Sequence, residues 1–150
     1  MTFFQEMFCN IPLISAAVAW LIAQGLKTVI WMIKHRRFSF ISLVASGGMP
    51  SSHSASVCAL ATSVGMQAGF SSIGFAICFV FAFIVMYDAA GVRRAAGEQA
   101  KILNVLMDDI GQGHTEDMPK RLKELLGHTP LQVFAGAILG VMIALIISLL

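Results

Sequence analysis

The chain has 150 residues, 57% of them hydrophobic and only 12% charged, with a net charge of +2. Its mean hydropathy of +0.81 lies outside the usual balance of soluble domains, where about a quarter of residues carry charge. The chain therefore belongs in a bilayer, as one membrane-embedded domain over 1–150 with no room for a separate soluble one. Charge this small, with no continuous basic patch interleaved with aromatics, excludes nucleic acid as a partner. Cys9, Cys58 and Cys78 are odd in number, sit in apolar surroundings and lack ligand spacing, so they read as small packing residues and not as disulfides or a metal site.

The first element is the apolar run Ile11 to Ile33, long enough to cross the hydrocarbon core, which takes about 20 helical residues. No Lys or Arg precedes it, so it reads as a retained helix and not a cleaved signal. Lys27 stands about four turns inside it. Intramembrane ionisable residues mark functional sites by default, the alternative being a lysine that snorkels to the helix end. Gln24, one turn earlier, either shares that face or bonds a neighbouring helix.

A connection from His35 to Ser52 follows. Within it, 38–45 is apolar but short, which suits a re-entrant or interfacial piece. It leads into Ser46-Gly47-Gly48-Met49-Pro50-Ser51-Ser52-His53-Ser54. That stretch gathers an imidazole, several hydroxyls and flexible backbone at one membrane mouth, as an anion site requires. The second span, about Ser54 to Gly69, is rich in Ala, Ser, Thr and Gly, as expected of a helix packed among others. The turn from Gln67 to Ser72 then predicts an antiparallel hairpin with the aromatic-rich third span, Ile73 to Ala90.

The longer connection, Gly91 to Pro130, contains helical spacing over 95–110, with Ala95, Ile102, Leu103, Leu106 and Ile110 available for one face. A short amphipathic helix is expected over 117–127. His114 and the acidic residues around it read as a solvated loop. Thr129-Pro130-Leu131-Gln132 then forms a capping box: a hydroxyl cap, Pro at the first helical position and Gln three residues after the cap. It opens the fourth span, Leu131 to Leu150, and holds His128 at a helix start. Unsatisfied amides and the positive helix end favour a bound anion there, and equally at Ser51, Ser52 and His53.

Every Lys and Arg except Lys27 falls on the two long connections or their margins. The positive-inside rule places that face, and the polar site, in the cytoplasm of a multi-pass cell-membrane protein. The expected fold is an all-α integral membrane bundle of about four spanning helices plus short interfacial helices. Gly136 and Gly140 form a small-xxx-small pair, suited to close packing within the bundle or to a homo-oligomer through the last helix.

Pro50-Ser51-Ser52-His53 resembles the Pro-Ser-Gly-His motif of the type 2 phosphatidic acid phosphatase superfamily. The stretch Gly127-His128-Thr129-Pro130-Leu131-Gln132-Val133, with Gly136 to Gly140 after it, resembles that superfamily's final motif. The similarity is strongest to the divergent branch described as acid phosphatase/vanadium-dependent haloperoxidase-related, through Gly47 to Ala55 and Tyr87 to Arg94, and it covers nearly the whole chain. The resemblance implies a phosphatidic acid phosphatase-like core and hydrolysis of a phosphate or diphosphate ester, with a phosphorylated lipid as substrate or ligand. It implies neither a metal nor another cofactor. His128 would be the nucleophile and His53 the general acid. Lys27, Lys34, Ser52 and either Arg93 or Arg94 would bind phosphate. Gln132 stands where the superfamily has an orienting Asp, and Asp88 is the carboxylate available to support the site. A structural ion pair among Asp88, Arg93 and Arg94 is the competing reading, and a pure cap is the competing reading of Gln132. A non-catalytic lipid-phosphate binding or transport protein is the alternative on the same scaffold.

Overall fold

The computed structural model describes residues 3–36, 48–111 and 128–150, with the side chains of 3, 4, 34, 35, 92–94 and 108–111 set aside. The pieces expected over 38–45 and 117–127, and the loop around His114, lie outside the described residues. The described residues form six helices: α1 (Phe3–Phe8), α2 (Ile11–His35), α3 (Ser52–Ala68), α4 (Ile73–Ala90), α5 (Val92–Gly111) and α6 (Pro130–Ser148). The described residues contain no strand. The fold is thus the expected all-α membrane bundle.

Local chemistry sets the ends of the first span. Asn10 caps α2 by accepting the Leu13 N–H at 3.0 Å, with Pro12 in the first turn, where no amide hydrogen is needed. At the other end Arg36 enters the left-handed region at φ 51°, and its N–H reaches the Met32 carbonyl at 2.8 Å. The short α1 before Asn10 had no signal in the apolar pattern.

Among the described residues three helical stretches are long and apolar enough to cross a membrane: Ile11–Ile33, Ile73–Met107, whose apolar part is α4, and Pro130–Ser148. The expected second span, α3, has only 17 residues and lies at the centre, packed against α2, α4 and α6. Its composition explains that place. Water does not drive helices together inside lipid, so small residues that let backbones approach supply the contact. The core is accordingly almost all alanine: Ala19 and Ala23 of α2, Ala55 and Ala59 of α3, and Ala144 with Ile143 of α6. Large side chains point outward instead, among them Phe79, Phe83, Phe134 and Ile146.

Polar contacts inside the bundle run between the same helices. Ser15 donates to Ser63 at 3.4 Å, and Ser56 donates to the Ala16 carbonyl at 3.1 Å, so both of these hydroxyls have an acceptor where water is scarce. At the hairpin end, Phe70 meets Phe75 edge-on with centroids 5.1 Å apart, and both rings lie against Gly65, which has no side chain to displace them. On α5, Gly97 and Asn104 are buried while Ile102, Leu103 and Leu106 are exposed. Its apolar stripe therefore faces away from the bundle.

Candidate functional site

The expected capping box at the start of α6 is formed. Thr129 Oγ1 accepts the Gln132 N–H at 3.4 Å, and Gln132 Oε1 accepts the Thr129 N–H at 3.1 Å. His128 precedes the cap and is buried, at 5% exposure. Contacts with two neighbouring elements hold it. Its backbone N–H donates to the Ala89 carbonyl at the end of α4, at 3.1 Å, and its Nδ1 lies 3.2 Å from Gln132 Oε1.

The start of α3 is built against that turn. Ser51 caps the helix, its Oγ accepting from the Ser54 N–H at 3.4 Å and from the Ser54 hydroxyl at 3.0 Å. The Ser51 N–H donates to the Gln132 carbonyl at 3.1 Å, which joins the two helix starts directly. The join depends on Gly136. A Cβ there would strike the Ser51 carbonyl and come within 3.1 Å of Ser54 Cβ. One turn further on, a Cβ at Gly140 would strike the Ala55 carbonyl. The small-residue pair is therefore spent on contact with α3 inside the bundle, and any association of copies through α6 would have to use its other faces.

Ser51, Ser52 and Ser54 are buried, whereas His53 is exposed. Helical geometry accounts for the contrast. Ser51, Ser54 and Ala55 face α6, and His53 lies roughly 200° around the helix from Ser51. The two starts bring together amide-rich helix ends, whose partial positive charge favours an anion.

Lys27 reaches the same region from α2. It is 7% exposed, which does not fit a side chain snorkelling to water. Gly48 explains how the connection passes over it. A Cβ on Gly48 would stand 3.0 Å from Lys27 Cγ and 3.2 Å from Cδ, and its φ of +91° is one that side chains disfavour. Gly48 thus rests on the lysine stem, three residues before the Ser51 cap. Nearby on α2, Thr28 donates to the Gln24 carbonyl at 2.9 Å. Gln24 Oε1 is buried with no hydrogen-bond partner among the described residues.

The family described as Divergent PAP2 matches residues 8–143. The chain belongs to the Divergent PAP2 family. It is also 42% identical, over 154 residues that cover 96% of this chain and 98% of the relative, to the protein of Bacillus subtilis (strain 168) called "Uncharacterized membrane protein YuiD". No solved structure matches.

Other residues singled out in this Divergent PAP2 chain divide by element. Asp88 is half-buried in the last turn of α4, next to the Ala89 carbonyl that receives His128. Lys34 lies in the last turn of α2, and Arg93 and Arg94 in the first turn of α5; their side chains lie outside the described residues, so their approach to phosphate stays an expectation. Among the described residues no three His, Cys, Asp or Glu side chains group as a metal site. Three features of the site escaped the sequence reading: the seat of Gly48 on Lys27, the Ser51–Ser54 hydroxyl pair, and the bond from Ser51 to the Gln132 carbonyl. A glycine pair four apart was the available signal for the third. Nothing local announced the first two.

Proposed function

We propose that this protein is a membrane phosphatase that hydrolyses a phosphate or diphosphate ester, with a lipid as the esterified group. The observation that carries the reading is the gathering of a buried His128, a buried Lys27 and buried Ser51 and Ser52 at two joined helix starts. A buried cation, serine hydroxyls and helix-end amides form a cradle for a multiply charged anion. Membership of the Divergent PAP2 family supports the chemistry by its name.

In the proposed reaction a ring nitrogen of His128 attacks phosphorus, and the bond from phosphorus to the ester oxygen breaks. His53 gives its proton to the departing oxygen. Water, deprotonated by His53, then attacks the phosphohistidine; the phosphorus–nitrogen bond breaks, phosphate leaves and both histidines return to their starting states. Lys27, Ser52 and, by the family resemblance, Lys34 with Arg93 or Arg94 hold the phosphate oxygens. Asp88 supports His128 from the end of α4. No metal or other cofactor is given a part.

The Lys and Arg distribution supports a cytoplasmic site, and an amphiphilic substrate would reach it from the surrounding lipid. The test is phosphate release by the full chain in detergent or nanodiscs from a panel of polyprenyl and phosphatidyl phosphates, with vanadate as inhibitor. Release that stops in His128→Ala supports the reading, and release unchanged in that variant overturns it. One observation favours a second reading, a lipid-phosphate binding or transport protein: the group on His128 Nδ1 is the neutral amide of Gln132, which stabilises an imidazolium less than a carboxylate does. Tight binding across the panel without turnover would select it.

A further inference from the structure

We infer that Gln132 is a positioning residue, and that the helix cap and the tautomer of His128 are one device. The argument starts from which groups can only donate. The Thr129 backbone N–H lies 3.1 Å from the Gln132 side-chain atom that it meets. An N–H has no lone pair to offer, so that atom is the carbonyl oxygen and not the amide nitrogen. The same oxygen lies 3.2 Å from His128 Nδ1. A carbonyl oxygen only accepts, so Nδ1 carries the hydrogen and neutral His128 has its lone pair on Nε2.

The reciprocal half of the cap keeps the device in register. Gln132 N–H donates to Thr129 Oγ1, which sets the first turn of α6 and with it the reach of the Gln132 side chain. The opposite end of the residue is fixed as well, since its backbone carbonyl accepts the Ser51 N–H. A backbone bond from His128 to Ala89 holds the ring's own base in place. The tautomer is therefore set by the folded start of α6 against α3 and α4, through a neutral acceptor.

The catalytic consequence rests on the phosphatase reading: Nε2 is the nitrogen that attacks phosphorus, and the Nδ1 proton stays on the ring throughout. A neutral oxygen does for orientation what a carboxylate would do, while leaving the ring's basicity lower. Gln132→Glu retains an acceptor of the same reach and completes a Thr-x-x-Glu capping box. Gln132→Met retains the length and removes the acceptor.

The experiment is nitrogen-15 imidazole NMR of the full chain in detergent micelles, at alkaline pH where the ring is neutral, with the His128 signal assigned by its loss in His128→Ala. The expected result is an Nδ1–H tautomer in the wild type and in Gln132→Glu, and a shift toward Nε2–H in Gln132→Met. An Nε2–H wild type, or an Nδ1–H signal unchanged in Gln132→Met, would overturn the inference. Gln132→Met is compared with the wild type only after its helix content is matched by circular dichroism; should it not fold, the wild-type tautomer and its retention in Gln132→Glu decide. The measurement needs no substrate, so its outcome is separate from that of the turnover assay.

Discussion

The two helix starts that meet at the site each carry a histidine, and they treat it differently. At α6, His128 stands one residue before the cap, in chain that has not yet turned with the helix, and bonds to Ala89 and Gln132 hold it in a buried place. At α3, His53 stands two residues after the cap, so the helical rotation carries it away from the face that packs on α6, and its ring is exposed. One register suits a fixed nucleophile. The other suits a proton donor that substrate and water can reach. A residue's offset from the cap, more than its proximity in sequence to an anion-favouring helix start, decides whether it is buried or exposed.

Substitutions that treat the two starts unequally test this contrast. The largest effect is expected from His128→Ala, which should reduce phosphate release to background while lipid-phosphate binding persists. His53→Ala should lower turnover by about 10²–10⁴-fold, the range of general acid–base catalysis, and should be the milder of the two; equal losses would erase the distinction. Lys27→Met should weaken substrate or vanadate binding by about ten- to a hundredfold, corresponding to a lost charge-assisted hydrogen bond. Its helix content in detergent should be retained, because Met keeps the length of the buried lysine stem. A large loss of stability would instead make Lys27 a structural residue.

Smaller effects separate packing from chemistry. Gly140→Ala and Gly136→Ala should each destabilise by about 1–3 kcal/mol through overpacking, read by denaturation in detergent. Turnover per folded molecule should survive in Gly140→Ala, which presses on Ala55, and fall in Gly136→Ala, which presses on the Ser51 carbonyl. Smallest of all, Ser51→Ala and Thr129→Ala should each cost about 1 kcal/mol, as lost helix caps do.

Much of this architecture is legible along the chain. The α2, α4 and α6 spans follow from apolar length, the hairpin from its turn, and the capping box from Thr129-Pro130-Leu131-Gln132, because each depends on neighbours within a few residues. The Ala, Ser and Gly content of α3 likewise points to a helix packed among others. Its exact start was less legible, since Ser52 and His53 fill its first turn with polar residues that an apolar count passes over.

Membrane class, helix order and the two histidine-bearing helix starts can be read along the chain, since hydropathy, capping and the family's motifs are local properties. Only the tertiary structure decided that α3 sits at the centre, that Gly48 lies on Lys27, and that the Ser51 N–H meets the Gln132 carbonyl. It also decided that one oxygen of Gln132 meets both the Thr129 N–H and His128 Nδ1. These are contacts between segments far apart along the chain, and their geometry depends on how closely backbones approach once small residues meet, which composition announces without saying which small residue meets which partner.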